Sequence, residues 1–340
     1  MDESQKLLKV SSSPHVHSGN SIKVAMRDVF IALLPATGIA VYFFGISAFM
    51  IILTCVVFAV LAEYVCQKIR GVDVTINDWS AALTGLFVAL LLPPTLPLWM
   101  AAIGAISAIV LGKQVFGGLG NNIFNPALIG RGVVSISWPV AMGNWVKPFA
   151  ENVSQATMDA YSSATPLGLM LQLKNAVEAT PAEINQLTRY IPTLKDLFLG
   201  TISGSMGEVS ALALLVGGIY ILIRKHIDWR IPSIYIGTVF VFSLIFNRGF
   251  DPLWFAAFNV FSGGLIIGAF FMATDWVTSP VTKNGRVVFA LGLGILTFLI
   301  RNGGVYPEGV LYSILIMNMF TPLIDRLTRG RVFGMVKKRG

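Results

Sequence analysis

Residues 46–62 read ISAFMIILTCVVFAVLA, a run without a single charged side chain. The segment ahead of it, 24–45, is also apolar apart from Arg27 and Asp28. A helix needs roughly 20 apolar residues to cross a hydrocarbon core about 30 Å thick. Because the two segments together are long enough for two crossings, they predict two successive membrane-spanning helices and decide the fold class, an all-α integral membrane protein.

The composition of the whole chain agrees with this assignment. Of 340 residues, 55% are hydrophobic and only 12% are charged, and the mean hydropathy is +0.73. Soluble domains carry about 25% charged residues because they need a hydrated surface. The composition therefore excludes an ordinary soluble protein.

Ten apolar segments have about the length of a membrane span. They are 24–45, 46–69, 79–92, 97–116, 126–142, 206–223, 231–246, 254–273, 287–300 and 308–324. An even number of crossings places both termini on the same side of the membrane.

The basic residues give the orientation. The net charge of +8 comes from 25 Lys and Arg against 17 Asp and Glu. The basic residues are scattered between the apolar segments, so they do not form a nucleic-acid-binding patch, and most lie on the side that holds the termini. Since the positive-inside rule makes that side cytoplasmic, we expect a cell (inner) membrane protein with a cytoplasmic segment 1–23, a first transmembrane half 24–142, an extracytoplasmic loop 143–205, a second half 206–325 and a basic cytoplasmic tail 326–340.

Several short patterns recur along the chain. Residues 85–89 resemble 268–272, and 104–111 with 113–114 resemble 292–299 with 301–302. The copies are five predicted spans apart, and an odd displacement reverses direction across the bilayer. The pattern predicts two inverted five-helix repeats, an arrangement that places a transport pathway between its halves. Chance similarity of glycine-rich apolar segments is the alternative.

Polar residues within or beside the spans are candidates for that pathway or for cofactor contact. Asn125, before Pro126, fits an N-cap of the fifth span. Arg131 lies inside that span, where it either contacts an anionic cofactor or quinone-like group or extends to the interface. Asp275 and Glu63 leave the same choice open.

Other common chemistries have no counterpart in the sequence. Cys55 and Cys66 lie on one predicted helix about 16 Å apart, too far for a disulfide, and no iron–sulfur or zinc motif is present. His15, His17 and His226 lie near cytoplasmic ends, where solvated surface roles are expected. No glycine fingerprint of a dinucleotide site occurs.

The predicted outer loop contains the segment 159–167, DAYSSATPL. Thr165 before Pro166 fits the N-cap and first turn of a helix. Apolar residues at helical spacing predict this helix over 166–179, lying on the membrane surface.

Five segments resemble one family of membrane proteins. They are SSPH at 12–15, AALTGL at 81–86, GGLGNNIFNP at 117–126, FFMATD at 270–275 and PLID at 322–325. Nearly the whole chain resembles the family that contains the D subunits of Rnf complexes, which are ion-translocating ferredoxin:NAD+ oxidoreductases, and the B subunits of sodium-translocating NADH:quinone reductases. The Rnf type is closer, because the longer amino-terminal extension of the quinone-reductase type is absent.

The resemblance implies a covalent flavin. In the family, the threonine of a Ser/Thr-x-Ala-Thr segment carries FMN through a phosphoester made by a separate flavin transferase. The matching positions are Ser162, Ser163, Ala164 and Thr165, with FMN on Thr165. Flavin-carrying relatives often have glycine where this chain has Ser163. A second, non-covalent flavin between the helices is also compatible with the resemblance.

The resemblance further implies a role in a redox-driven ion pump. The chain would relay electrons between ferredoxin and NAD through FMN and couple this transfer to Na+ or H+ translocation. It would act as one part of an enzyme complex, with the other Rnf subunits A, B, C, E and G and the lipid bilayer as partners and no nucleic acid. Two alternatives are an inverted-repeat solute channel without redox function and a purely structural scaffold.

Overall fold

The computed structural model describes residues 21–149, 164–175, 187–247, 249–304 and 306–330. Within these ranges the regular elements are helical and no β-strand occurs, which confirms the all-α class. The α-helices are α1 (Ile22–Arg70), α2 (Ser80–Leu90), α3 (Leu98–Ile109), α4 (Pro126–Ser137), α5 (Pro139–Gly143), α6 (Pro166–Asn175), α7 (Leu194–Leu199), α8 (Ala211–Ile223), α9 (Arg230–Ile245), α10 (Pro252–Phe261), α11 (Leu265–Ile267), α12 (Lys283–Gly303) and α13 (Val310–Leu327). Val110–Gln114 and Gly268–Met272 are π-helical and continue α3 and α11.

Each of the ten predicted apolar segments coincides with helix in the structure. Among the described residues, the helices α1, α12 and α13 are individually long and apolar enough to cross a bilayer. The helices Pro252–Phe261 and Leu265–Met272 make a fourth if they form one span, bent by 64° at a short break. The protein is therefore a membrane-embedded helical protein, and the count of ten crossings stays a prediction.

The first helix contains the predicted boundary between two spans. α1 has 49 residues, which would extend about 73 Å if straight, well beyond one bilayer core. The helix is interrupted at Gly45, whose φ of 63° and ψ of −144° lie outside helical values. Glycine adopts this combination of φ and ψ readily, whereas a residue with a side chain would be strained there. The break therefore falls where the sequence predicts one span to end and the next to begin.

The same pairs of elements pack in both halves of the chain. α1 contacts α2 and α3, and α3 contacts α4; α9 likewise contacts α10 and α12, and α12 contacts α13. The second part of α1 meets both helices: Cys55 Sγ donates to the Ala101 carbonyl of α3, and a Cβ on Gly85 of α2 would lie 2.6 Å from the Cys55 carbonyl oxygen. α8 packs against α1 and brings the halves together. This repeated packing agrees with an internal repeat, and the inversion of the two halves stays a prediction.

Close helix contact in the core depends on small residues. A Cβ on Gly130 of α4 would lie 2.5 Å from the Gly104 carbonyl oxygen and 2.8 Å from Ala108 Cβ in α3. In the second half, Tyr235 is fully buried and its hydroxyl lies 2.6 Å from Thr297 Oγ1, which lies 2.7 Å from Ser313 Oγ. This chain of hydroxyls links α9, α12 and α13.

Candidate functional site

Thr165 is the N-cap of α6. Its Oγ1 accepts a hydrogen bond from the Gly168 backbone N–H at 3.0 Å, and its carbonyl accepts one from Leu169 N–H at 2.9 Å. The capping role predicted from the sequence is confirmed. The preceding residue Ala164 is held in place because its carbonyl accepts a hydrogen bond from Ser203 Oγ at 3.1 Å. Ser162 and Ser163 lie outside the described residues.

The helix that follows Thr165 packs onto the protein. The structure shows helix over Pro166–Asn175, and the rest of the predicted range, 176–179, lies outside the described residues. Leu167 is buried in a small apolar cluster with Leu197, Ile202 and Phe258. Thr165 is therefore fixed beside α7 and α10, and the predicted position of this helix on the membrane surface stays a prediction.

The Thr165 side chain lies at a small cavity of about 50 Å³. Arg131, Trp145, Glu208 and Glu308 also line this cavity. Arg131 does not extend to an interface: it is 9% exposed, and its Nη1 donates to Glu208 Oε1 at 3.2 Å. The structure thus brings Arg131 and Thr165, which are far apart in sequence, to the same cavity.

A second buried arginine lies beside this cavity. Arg301 Nη2 donates to Glu308 Oε1 at 3.0 Å, and its Nη1 donates to the Asn259 carbonyl at 2.6 Å. Glu308 Oε2 accepts from Gly264 N–H at 2.9 Å. Gly263, which precedes Gly264, has a φ of 65°, and a Cβ on Gly263 would overlap the Glu308 carboxylate. Two Arg–Glu pairs therefore meet at the break between α10 and α11.

Sequence reasoning missed both glutamates. Glu308 is the first residue of the predicted tenth span, and Glu208 lies near the start of the sixth. A charge in an apolar span needs a partner, so Arg131 and these carboxylates could have been recognised as one set. The particular pairing depends on how distant helices pack, which the sequence pattern did not show.

The remaining candidates lie at a separate cavity. Asn125 caps α4 through its Oδ1, which accepts from Ala127 and Leu128 N–H at 3.1 and 3.4 Å. Its Nδ2 donates to the Met272 carbonyl at 3.4 Å. Asp275 lies at the same cavity, of about 100 Å³, and its Oδ2 accepts from Thr278 Oγ1 at 3.2 Å. The candidate residues are thus divided between two places.

Two further predicted residues lie at or near the Asn125 cavity. His226 is only 9% exposed and its Nε2 lies 2.8 Å from Asp28 Oδ2, so the expected solvated surface role is wrong. Its burial follows from the return of the chain after α8 onto α1, since Arg224 also pairs with Asp28 at 2.7 Å. Glu63 pairs with Lys113 at 2.7 Å, with both side chains 1% exposed.

Carboxylates outside the apolar helices show how local hydrogen bonds tune acidity. Hydrogen bonds from the Thr193 and Thr201 hydroxyls lower the pKa of Asp196 in the first turn of α7. Burial raises the pKa of Asp228, but hydrogen bonds from the Arg230 backbone and the Arg286 side chain outweigh it, so the net shift is downward. Among the described residues, no group of three or more His, Cys, Asp or Glu side chains is placed to hold a metal ion.

Comparison with known proteins assigns the family. The model of the NQR2, RnfD, RnfE family matches residues 9–334. The chain belongs to this family. It is 46% identical over 335 residues to the D subunit of the proton-translocating ferredoxin:NAD(+) oxidoreductase complex of Clostridium ljungdahlii, with 97% of each chain covered.

Two other members of the family are similar over their whole length. One is the D subunit of the Na(+)-translocating ferredoxin:NAD(+) oxidoreductase complex of Acetobacterium woodii, at 43% identity with 97% of this chain and 96% of the relative covered. The other is the D subunit of the ion-translocating oxidoreductase complex of Halorhodospira halophila, at 37% identity with 96% and 95% covered. The resemblance seen in the sequence motifs is confirmed.

Proposed function

We propose that this chain is the D-type membrane subunit of an ion-translocating ferredoxin:NAD+ oxidoreductase complex. The observation that carries the proposal is whole-length similarity to relatives named as that subunit. The chain then functions within an assembly with the other Rnf subunits, A, B, C, E and G, and electron transfer between ferredoxin and NAD drives Na+ or H+ across the membrane. The relatives at 46% and 43% identity are named for different ions, so overall similarity does not select between the two.

Within this role, Thr165 carries FMN as a phosphoester. The bond joins Thr165 Oγ1 to the flavin phosphorus, so the peptide gains the mass of FMN less water. The residues present fit the group: Thr165 lines a cavity together with Arg131, whose guanidinium is a suitable donor to a phosphate. The two carboxylates at the same cavity, Glu208 and Glu308, are each paired with an arginine. A Cβ on Gly168 would lie 3.0 Å from Thr165 Oγ1, so glycine keeps space beside the hydroxyl that the flavin transferase must reach.

Each part of the site then has a defined task. FMN supplies the electron-transfer chemistry when bound, and the protein supplies position and electrostatics. Thr165 fixes the phosphate end at the start of α6, where the cap bond to Gly168 orders the backbone. Arg131 contributes positive charge to the same cavity, and Glu208 holds its guanidinium in place at 3.2 Å.

Contacts between helix ends support the predicted topology, with cytoplasmic termini and an outer flavin segment. Helix ends predicted to lie on the cytoplasmic side contact one another: Arg286, near the start of α12, pairs with Asp228, just before α9, at 2.7 Å. The predicted outer ends also meet one another: Thr95 Oγ1 donates to the Asn144 carbonyl at 2.8 Å and Lys174 Nζ donates to the Gly304 carbonyl at 3.4 Å. These contacts support the predicted grouping of the helix ends into two sets, one of which includes the Thr165 segment.

The decisive experiment is in-gel flavin fluorescence of the purified complex, with mass spectrometry of the peptide that contains Thr165. Thr165→Ala and Thr165→Asp should both remove the flavin from this band. Asp is the sharper variant, because it keeps an N-cap acceptor and lacks a hydroxyl to esterify. Thr193→Ala is the matched control: Thr193 caps α7 in the same outer segment, and this variant should retain the flavin. Flavin on the band of both Thr165 variants would refute the attachment site.

A further inference from the structure

A larger cavity, of about 480 Å³, lies beside α6. Leu167 and Pro307 line both this cavity and the Thr165 cavity. The two spaces are therefore neighbours at the first turn of α6, the turn that Thr165 caps.

Most of the wall of the larger cavity is apolar. Side chains such as Met170, Leu171, Phe250, Phe255 and Phe298 line it. Aromatic and aliphatic walls of this kind are typical of small-molecule and cofactor sites, which usually enclose about 300–1,000 Å³. The space is therefore large enough for a flat, multi-ring group.

The charged side chains that line this cavity are all cationic. They are Lys174 and Arg301, and no Asp or Glu is among the described lining residues. Arg301 has a side chain only 4% exposed, and its Nε has no hydrogen-bond partner within the described part of the chain. Lys174 makes one long hydrogen bond, to the Gly304 carbonyl at 3.4 Å. Donors with spare capacity at an apolar wall favour a ligand with one apolar part and one electron-rich part.

We infer that this cavity holds the ring system of the flavin carried on Thr165, with Lys174 supplying positive charge and Arg301 Nε supplying a hydrogen-bond donor to its polar edge. The inference rests on the proposed attachment at Thr165. A flavin ring system has an apolar benzenoid edge and a polar edge rich in nitrogen and oxygen, which matches the two parts of the wall. Because reduction adds negative charge to the flavin, cations at the polar edge favour the reduced form and raise the reduction potential.

The first test is a redox titration of the purified complex. Subtracting the titration of Thr165→Asp isolates this flavin from others in the complex. Lys174→Gln should shift the reduction potential of the isolated component to a more negative value while the flavin stays on the band. Lys195→Gln is the matched control, because Lys195 is an exposed lysine of α7 in the same outer segment and does not line the cavity. An unchanged potential in Lys174→Gln counts against the inference.

The second test measures proximity and does not depend on the lysine. Leu173→Trp adds an indole to the cavity wall and should quench the fluorescence of the native covalent flavin, with recovery on denaturation. Leu199→Trp, at an exposed position of α7, should leave it unchanged. Equal fluorescence in the two variants overturns the inference. A bound lipid would also overturn it. In that case native mass spectrometry would find an anionic phospholipid on the wild type and not on Lys174→Gln, and the reduction potential of the flavin would be the same in both. Absence of flavin from wild-type Thr165 would instead refute the proposed function.

Discussion

At the scale of single residues, the Lys113–Glu63 pair offers a direct test of buried charge. Both side chains are 1% exposed, and Lys113 Nζ lies 2.7 and 2.8 Å from the two carboxylate oxygens and 2.6 Å from Ser80 Oγ. Lys113→Met leaves Glu63 buried without its cation, which should destabilise the protein by about 3–5 kcal/mol. Thermal unfolding in mild detergent measures the loss. The double variant Lys113→Met with Glu63→Met should be more stable than the single variant, because it removes both charges; a double variant that is less stable would contradict this account.

Sequence reasoning at this scale identified residue types better than partners. Asn125 and Thr165 were predicted as caps because a cap involves neighbours only a few residues away, and both predictions are confirmed. Arg131 was recognised as a charge in need of a partner, but Glu208 was not, since it lies 77 residues along the chain. His226 was misplaced for the same reason: its burial depends on Asp28, at the start of the chain's first helix. Local hydrogen bonds can be predicted from sequence, whereas pairing between distant helices could not be predicted here.

At the scale of elements, the crossing of α3 and α4 depends on glycine at one position. Gly130→Ala should destabilise the protein by about 1–3 kcal/mol, because the new methyl group would overlap α3 and separate the helices. Gly132→Ala is the matched control in the same helix: no atom lies within 4 Å of a Cβ at that position, so the variant should be as stable as the wild type or slightly more stable. Thermal unfolding of the two variants tests this prediction. Equal melting temperatures would show that α3 and α4 can accommodate the methyl group without loss of stability.

The amino-terminal ends of α9 and α12 are joined by Asp228, which pairs with Arg230 at 2.9 Å and Arg286 at 2.7 Å. Burial raises the pKa of Asp228, but hydrogen bonds from the Arg230 backbone N–H and the Arg286 side chain, together with the charges of both arginines, lower it below its ordinary 3.8. A carboxyl with a lowered folded-state pKa contributes stability that is present above its unfolded pKa and is lost as the pH falls through the folded pKa. Melting temperatures of wild type and Asp228→Asn should therefore differ at neutral pH and converge below about pH 4. A constant difference across this range would argue against the pairing.

Apolar periodicity predicted the elements more fully than their geometry. All ten predicted segments are helical, and the break at Gly45 falls on the predicted boundary, because apolar runs and glycine conformation are local properties. The 64° bend between α10 and α11 was not predicted. It occurs where Gly264 N–H donates to the distant Glu308 carboxylate instead of continuing a helix. Helix content thus followed from the sequence, while the break that shapes the site depends on a contact from another segment.

At the scale of the whole molecule, the orientation in the membrane can be tested independently of any cofactor. The asymmetric distribution of lysine and arginine predicts α7 on the outer side and the end of α13 on the cytoplasmic side. In a background with Cys55→Ala and Cys66→Ser, a membrane-impermeant thiol reagent should label Lys195→Cys on intact cells. Arg329→Cys should react only after permeabilisation. Both positions are exposed, so accessibility to solvent does not distinguish them.

The result also determines which side of the membrane the proposed flavin faces. Thr165 and Lys195 lie in the same segment, since Leu167 of α6 and Leu197 of α7 share one buried cluster. Labelling of Lys195→Cys from outside would therefore place the Thr165 cavity on the outer side, so that an electron from a cytoplasmic donor must cross the bilayer to reach it. Labelling of both cysteines only after permeabilisation would place the cavity inside and remove the need for a transmembrane electron path through this protein.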